Sequence, residues 1–212
     1  MSSARIAVVV LAAGRGSRFL GGEHKLAQTL GLVTVLEATL ANALATRLDV
    51  VVVTTAALAP LACRSIAARQ VVVLPEVGSD GVAGLGMGTS IASGVSASSA
   101  ASGWLVLPAD MPLVQPATLL AVAERLHEHP VVYAQCKGRR GHPVGFSAEL
   151  YTELVLLSGD EGARRLIARY PSFAVDVADA GALADIDTQE DLARLRADGA
   201  AQVGGSAPIS VY

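Results

Sequence analysis

A chain of 212 residues with net charge −3 and 52% apolar residues can fill the core of one α/β domain, and it carries no basic run to serve as a nucleic-acid footprint. Its mean hydropathy of +0.49 comes from Ala, Val and Leu in runs of strand length, so no membrane span is expected, and the N-terminus lacks the order of a signal peptide. The two cysteines, Cys63 and Cys136, lack metal-ligand spacing and read as buried or half-buried reduced thiols, as in a cytoplasmic protein.

The apolar run over 6–13, bounded by glycine, predicts a strand buried on both faces. The loop after it holds Gly14, Gly16, Gly21 and Gly22 among Arg15, Arg18 and Lys25. Glycine lets backbone N–H groups come close to a ligand, and the cations supply charge, so this loop is a candidate polyphosphate site. It is not a Walker A motif, because Glu23 and His24 follow Gly22 where Lys and Ser or Thr are required. Nor is it the dinucleotide fingerprint, because Phe19 stands where a third glycine belongs. Helical spacing of Val35, Leu36, Leu40, Ala43 and Leu44 predicts a helix over 34–48. Strands follow at 50–55 and 70–74, with a short helix from 57 between them that has Pro60 near its first turn. This alternation predicts a single-domain, Rossmann-like, three-layer α/β/α fold with a mostly parallel sheet and right-handed crossovers.

A glycine-rich stretch over 78–88 then leads into a helix opening with Thr89 and Ser90; Gly86 and Gly88 suit close approach, and the stretch reads either as a lid-like linker or as a second wall of the nucleotide site. Small residues over 96–102 predict a surface turn, and 104–107 a strand ending in LPADMP. A carboxylate at the carboxyl end of a buried strand, framed by prolines, points to Asp110 as a ligand of Mg²⁺, a hard cation that takes one or two carboxylates plus substrate phosphate oxygens. The next helix is expected at 116–127, too far on for Asp110 to cap, and a strand at 131–136. His127 and His129 read as surface residues near that helix's end. A basic loop over 137–140 runs into GHPVGFS at 141–147, where His142 is either a general base or a bridging turn residue. A helix beginning at 158 and reaching 170, a strand at 172–177 and a capping pair of Thr188 with Asp191 complete the pattern. Either Asp185 or Asp187 could supply a second metal carboxylate, and the spacing does not choose between them. The domain is expected to occupy 1–197, with 198–212 a loose tail.

The motifs LAAGRGSR…K, GMGTSI, PADMP, GHPV, GDEGAR and DIDT, in this order, resemble those of the MobA-like nucleotidyltransferases, and most closely the molybdenum cofactor cytidylyltransferases. The resemblance runs from about Ile6 to Leu195 and implies a nucleotide-diphospho-sugar transferase type of fold. It implies transfer of CMP from CTP to the terminal phosphate of molybdopterin, for enzymes of the xanthine dehydrogenase type with which transient contact is possible. Mg²⁺, or Mn²⁺, on Asp110 is implied as the metal. LAAG and PADMP separate the chain from the guanylyl-transferring members, which tend to read LAGG and CDTP. Nucleotide contacts are implied for Leu11, Ala12, Ala13, Gly14 and Gly16 in the first loop. Further nucleotide contacts are implied for Gly86, Gly88 and Ser90, and for Pro108 and Ala109. His142, Pro143, Asp160, Gly162 and Arg164 are implied on the acceptor side. The stretch Arg18 to Gly22 is one residue longer than the family's pattern, and Gly31-Leu32-Val33 replaces its Gly-x-Pro.

The chemistry such a set suits is attack on the α-phosphate of a nucleoside triphosphate with departure of pyrophosphate. Arg15, Arg18 and Lys25 would hold the triphosphate, and a phosphate nucleophile would need no general base. Two other readings use the same residues: a relative moving a different nucleotide to a different small acceptor, and a non-catalytic molybdopterin carrier.

Overall fold

Alternate residues of the first strand, β1 (Ile6–Ala12), enter two different cores, which is why its sequence is apolar without a break. Val8, Val10 and Ala12 face one core, Ala7 and Val9 the other. The structure is a computed structural model that describes residues 5–14, 24–75 and 86–204. The remaining strands are β2 (Thr29–Leu30), β3 (Val33–Thr34), β4 (Asp49–Thr55), β5 (Val71–Leu74), β6 (Gly103–Pro108), β7 (Val131–Cys136), β8 (Arg139–Ser147) and β9 (Ser172–Asp176). The helices are α1 (Val35–Ala45), α2 (Ala59–Ala62), α3 (Gly86–Ala97), α4 (Pro116–Arg125), α5 (Tyr151–Val155), α6 (Arg164–Arg169) and α7 (Gln189–Gly204).

Strands β2 and β3 form a small ribbon of their own; the others form one sheet in the order β5-β4-β1-β6-β8-β7-β9. Every neighbouring pair in it is parallel except those made by β8, which runs antiparallel to both β6 and β7. Residues of α1, α2, α4 and α7 pack in the core on one face. Residues of α3, α5 and α6 pack on the other face around the buried Trp104 and Phe146. The result is the expected three-layer α/β/α domain with a mostly parallel sheet.

Local differences from the sequence reading have identifiable causes. The segment read as a basic loop followed by a motif loop is instead a hairpin. Lys137 (φ 51°) and Gly138 (φ 73°) make its turn, and GHPVGFS lies within β8. Val144 and Phe146 on this strand turn into one core, while Gly145 sits against Leu105 and Leu126 on the other face. Helix α3 opens at Gly86, before Thr89, and its Gly94 lies against β1, where a Cβ would stand 2.3 Å from Val9 Cγ1. The helix expected from 158 begins at Arg164, since Gly159 (φ 67°) and Gly162 (φ 57°) hold the preceding residues in turns. Cys63 is exposed at the end of the short α2, against the expectation of burial, whereas Cys136 is buried; both are free thiols. Helix α7 continues past Ala197 to Gly204. No helix among the described residues is long and apolar enough to cross a membrane.

Candidate functional site

Asp110 follows the last residues of β6, and its neighbours in sequence are tied on three sides. Ala109 N–H donates to Leu11 O (3.0 Å), Ala109 O accepts from the buried Thr39 hydroxyl on α1 (2.8 Å), and Pro112 O accepts from Asn42 Nδ2 (2.8 Å). Asp110's own carbonyl accepts from Ile186 N–H at 2.9 Å, which brings residues 185–187 to the same sheet edge. Ile186 is fully buried, so the acids on either side of it take different fates: Asp185 is exposed and Asp187 half-buried. The choice left open in the sequence between Asp185 and Asp187 thereby narrows. Asp187 is the one that shares a partner with Asp110.

That partner is Lys25. Its Nζ donates to Asp110 Oδ2 at 2.6 Å and to Asp187 Oδ1 at 3.2 Å, and only 12% of its side chain is exposed. Burial alone would push the ammonium's pKa down; the charge of Asp110 and hydrogen bonds to both carboxylates outweigh it, so the pKa lies above 10.5 and Lys25 stays charged. Asp110 Oδ1 is buried and has no hydrogen-bond partner among the described residues. Hard oxygen donors with one oxygen left unused suit a divalent cation of the Mg²⁺ kind. No group of three His, Cys, Asp or Glu that could hold a metal exists among the described residues, so two carboxylates would leave the remaining positions to phosphate oxygens and water.

Lys25 is placed by a clasp that the sequence reading missed. His24 Nε2–H donates to Gly14 O (3.0 Å), and His24 Nδ1 accepts from Leu26 N–H (3.2 Å), which draws the two ends of the glycine loop together and starts a 3₁₀ turn at Lys25–Ala27. Arg15, Gly16 and Arg18, named above for the triphosphate, lie outside the described residues, as does the stretch before Gly86.

Other expected contacts are distributed as follows. Leu11, Ala13 and Gly14 are partly or fully open at the end of β1, whereas Ala12 and Ala109 are 1% exposed and belong to the core, so only their backbone can face a ligand. Pro108 is half-buried at the end of β6. Gly86 and Gly88 serve packing: a Cβ would stand 2.1 Å from Gly159 C and 2.6 Å from Ser158 O respectively, and Gly88 N–H already donates to Gly159 O at 2.8 Å. The buried Ser90 hydroxyl turns back to Gly86 O at 3.4 Å.

The acceptor set falls in two places. Asp160, Gly162 and Arg164 belong to the turns and helix that pack on the start of α3, with Gly162 against Met87. His142 and the buried Pro143 lie on β8, where the antiparallel strand starts near the end of β6. His142 Nδ1 is buried without a partner among the described residues. Burial favours the neutral imidazole, against a backbone bond at Val106 and the charge of Asp110, and its pKa falls below 6.5.

A family model described as a MobA-like NTP transferase domain matches residues 8–174. The chain belongs to the MobA-like NTP transferase family. Among solved structures, a mycobacterial homolog of Rv0371c from strain JC1 shares 26% identity over 94% of this chain and 98% of its own, with a TM-score of 0.77. Rv0371c of Mycobacterium tuberculosis shares 29% identity over 93% of this chain and 100% of its own, with a TM-score of 0.73, and has also been solved in complex with manganese. A nucleotidyl transferase from Methanothermobacter shares 26% identity over 94% of this chain and 100% of its own, with a TM-score of 0.75. At 18% identity, molybdopterin-guanine dinucleotide biosynthesis protein A from Archaeoglobus fulgidus shares the fold. No curated protein matches the chain.

Proposed function

We propose that this member of the family moves CMP from CTP to the terminal phosphate of molybdopterin. An oxygen of the acceptor phosphate forms a bond to the α-phosphorus as the bond from that phosphorus to the β-phosphate bridging oxygen breaks, and pyrophosphate leaves. The observation that carries the reading is the meeting of Lys25, Asp110 and Asp187 at the carboxyl edge of the sheet, with Asp110 Oδ1 buried and unused. Asp110 and Asp187 would hold Mg²⁺, and Mn²⁺ equally, in keeping with the manganese complex of the related mycobacterial protein. A bound divalent ion supplies charge neutralisation at the α-phosphate.

The remaining work falls to the chain's own cations and shape. Lys25 would hold the triphosphate, together with Arg15 and Arg18 of the glycine loop. Hydrogen bonds to Ala109 and to the carbonyls of Asp110 and Pro112 fix the backbone that carries the Asp110 carboxylate, so the charged groups are positioned before substrate arrives. An ionised phosphate nucleophile needs no base, consistent with His142 held neutral. The LAAG and PADMP forms of the two loops favour cytidylyl over guanylyl transfer.

The test is pyrophosphate release across the four common nucleoside triphosphates, with and without molybdopterin, for the native chain and Asp110→Asn. Release is expected with CTP and molybdopterin together, and Asp110→Asn should lower it by about 100-fold or more, the order set by losing several kcal/mol of charge stabilisation. A preference for GTP would replace the nucleotide. Ligand binding without any pyrophosphate release would make the protein a carrier.

A further inference from the structure

Two carboxylates and one ammonium make an arrangement with a consequence for the order of binding. Lys25 Nζ stands within 3.2 Å of an oxygen of Asp110 and one of Asp187, the position a cation shared by the two would take. We propose that Lys25 is the place-holder of the divalent site: it neutralises the carboxylate pair in the nucleotide-free protein and leaves it when a polyphosphate offers the ammonium a stronger anion. The inference rests on the reading of Asp110 and Asp187 as the metal carboxylates and is independent of which nucleotide is used.

Three observations support it. The Asp110 backbone is anchored, because its carbonyl, Ala109 and Pro112 are hydrogen-bonded to the segment at 186, β1 and α1, which leaves its short side chain little reach to follow a departing partner. Lys25 is held by its backbone in the 3₁₀ turn, and beyond its two ion pairs a flexible four-carbon stem can carry the compact charge elsewhere. It also sits where the glycine loop ends, next to the place where a triphosphate would lie. A divalent ion and an ammonium cannot occupy one gap between two carboxylates, since the two cations repel strongly in a partly buried site. Metal binding and polyphosphate binding therefore assist one another, and by linkage each raises the other's affinity by the same factor.

The experiment measures Mn²⁺ alone, by the loss of its free EPR signal, on the native chain, Lys25→Met, and Lys25→Met with Asp110→Asn. Lys25→Met should bind Mn²⁺ at least about tenfold more tightly than the native chain, and the added Asp110→Asn should remove that gain. Equal or weaker binding by Lys25→Met, or a gain that survives Asp110→Asn, overturns the proposal. A measurement on the native sequence guards against a variant that fails to fold. Lys25 and Lys137 are the chain's two lysines, so ¹³C-methylation of their amines gives two side-chain resonances to follow. The Lys25 resonance should move at a lower Mg²⁺ concentration when the α,β-methylene analogue of CTP is present than with Mg²⁺ alone. The same Mg²⁺ dependence with and without the analogue, or no movement with both, counts against the proposal. CMP transfer without the Mn²⁺ gain would leave the function standing and remove the place-holder. The gain without CMP transfer would do the reverse.

Discussion

Asp179 is 4% exposed, and its oxygens accept three bonds: Oδ2 from Gln115 N–H (2.9 Å) and the Thr118 hydroxyl (2.6 Å), Oδ1 from Gly181 N–H (2.9 Å). Two of those donors lie in the first turn of α4, whose N-terminal Gln115 makes no side-chain cap of its own. A carboxylate far along the chain thus caps the helix that follows the Asp110 loop, and a negative charge there also suits the helix dipole. Asp179→Ala leaves the buried Thr118 hydroxyl without this acceptor and takes the same acceptor from the Gln115 amide. The expected cost is about 3 kcal/mol, a fall in Tm of about 10 °C. A thermal melt within about 2 °C of the native chain would mean that α4 does not depend on this contact. Asp179 was not legible in the sequence as a contact of α4, because those partners are over 60 positions away. Asp110 was legible, because strand, proline and acid together predict a placed carboxylate. What Asp110 bonds to was not, since Lys25 and Asp187 reach it only through the fold.

Helix starts show where local sequence does determine structure. Thr34 and Glu37 bond reciprocally at the start of α1: Glu37 N–H donates to the Thr34 hydroxyl (3.2 Å), and Thr34 N–H donates to Glu37 Oε2 (2.8 Å). Thr188 and Asp191 repeat the pattern before α7, at 3.1 and 2.9 Å, as their spacing predicts. The Thr34 backbone bond holds the Glu37 pKa below its ordinary 4.5, and the Thr188 bonds hold Asp191 below 3.8. A depressed carboxylate pKa gives stability that is complete above the unfolded value and lost as pH falls through the folded one. Glu37 therefore contributes above pH 4.5 and ceases to contribute in more acid solution, by about 1 kcal/mol. In urea titrations at a series of pH values, Glu37→Gln should show a shallower acid limb than the native chain; parallel curves would remove Glu37 from the acid response. The joint between α3 and the turns at 158–162 is tertiary instead. Gly88→Ala brings a methyl to 2.6 Å from Ser158 O, and the backbone must yield at a cost of about 1–3 kcal/mol. A calorimetric scan should show the lower Tm; an unchanged one would mean that the joint opens freely.

At the scale of the molecule, the layers and the mostly parallel sheet were readable because β1, β4 and β6 are buried on both faces and need unbroken apolar sequence. Strand β8 was hidden because Arg139, Arg140, His142 and Pro143 occupy its first half, and its place between β6 and β7 comes from partners, not propensity. The site divides in the same way. Its acids and lysine stood out by motif, while the bond of Asp187 to the lysine shared with Asp110 comes from the fold, which ties Ile186 to the Asp110 carbonyl. That bond also orders events in time. Lys25 and Asp110 leave the ribosome first, and the third member of the cluster waits for position 187. A nascent chain can lay down all nine described strands, the last ending at Asp176, and still lack the final acid, so the cluster is completed only after the sheet.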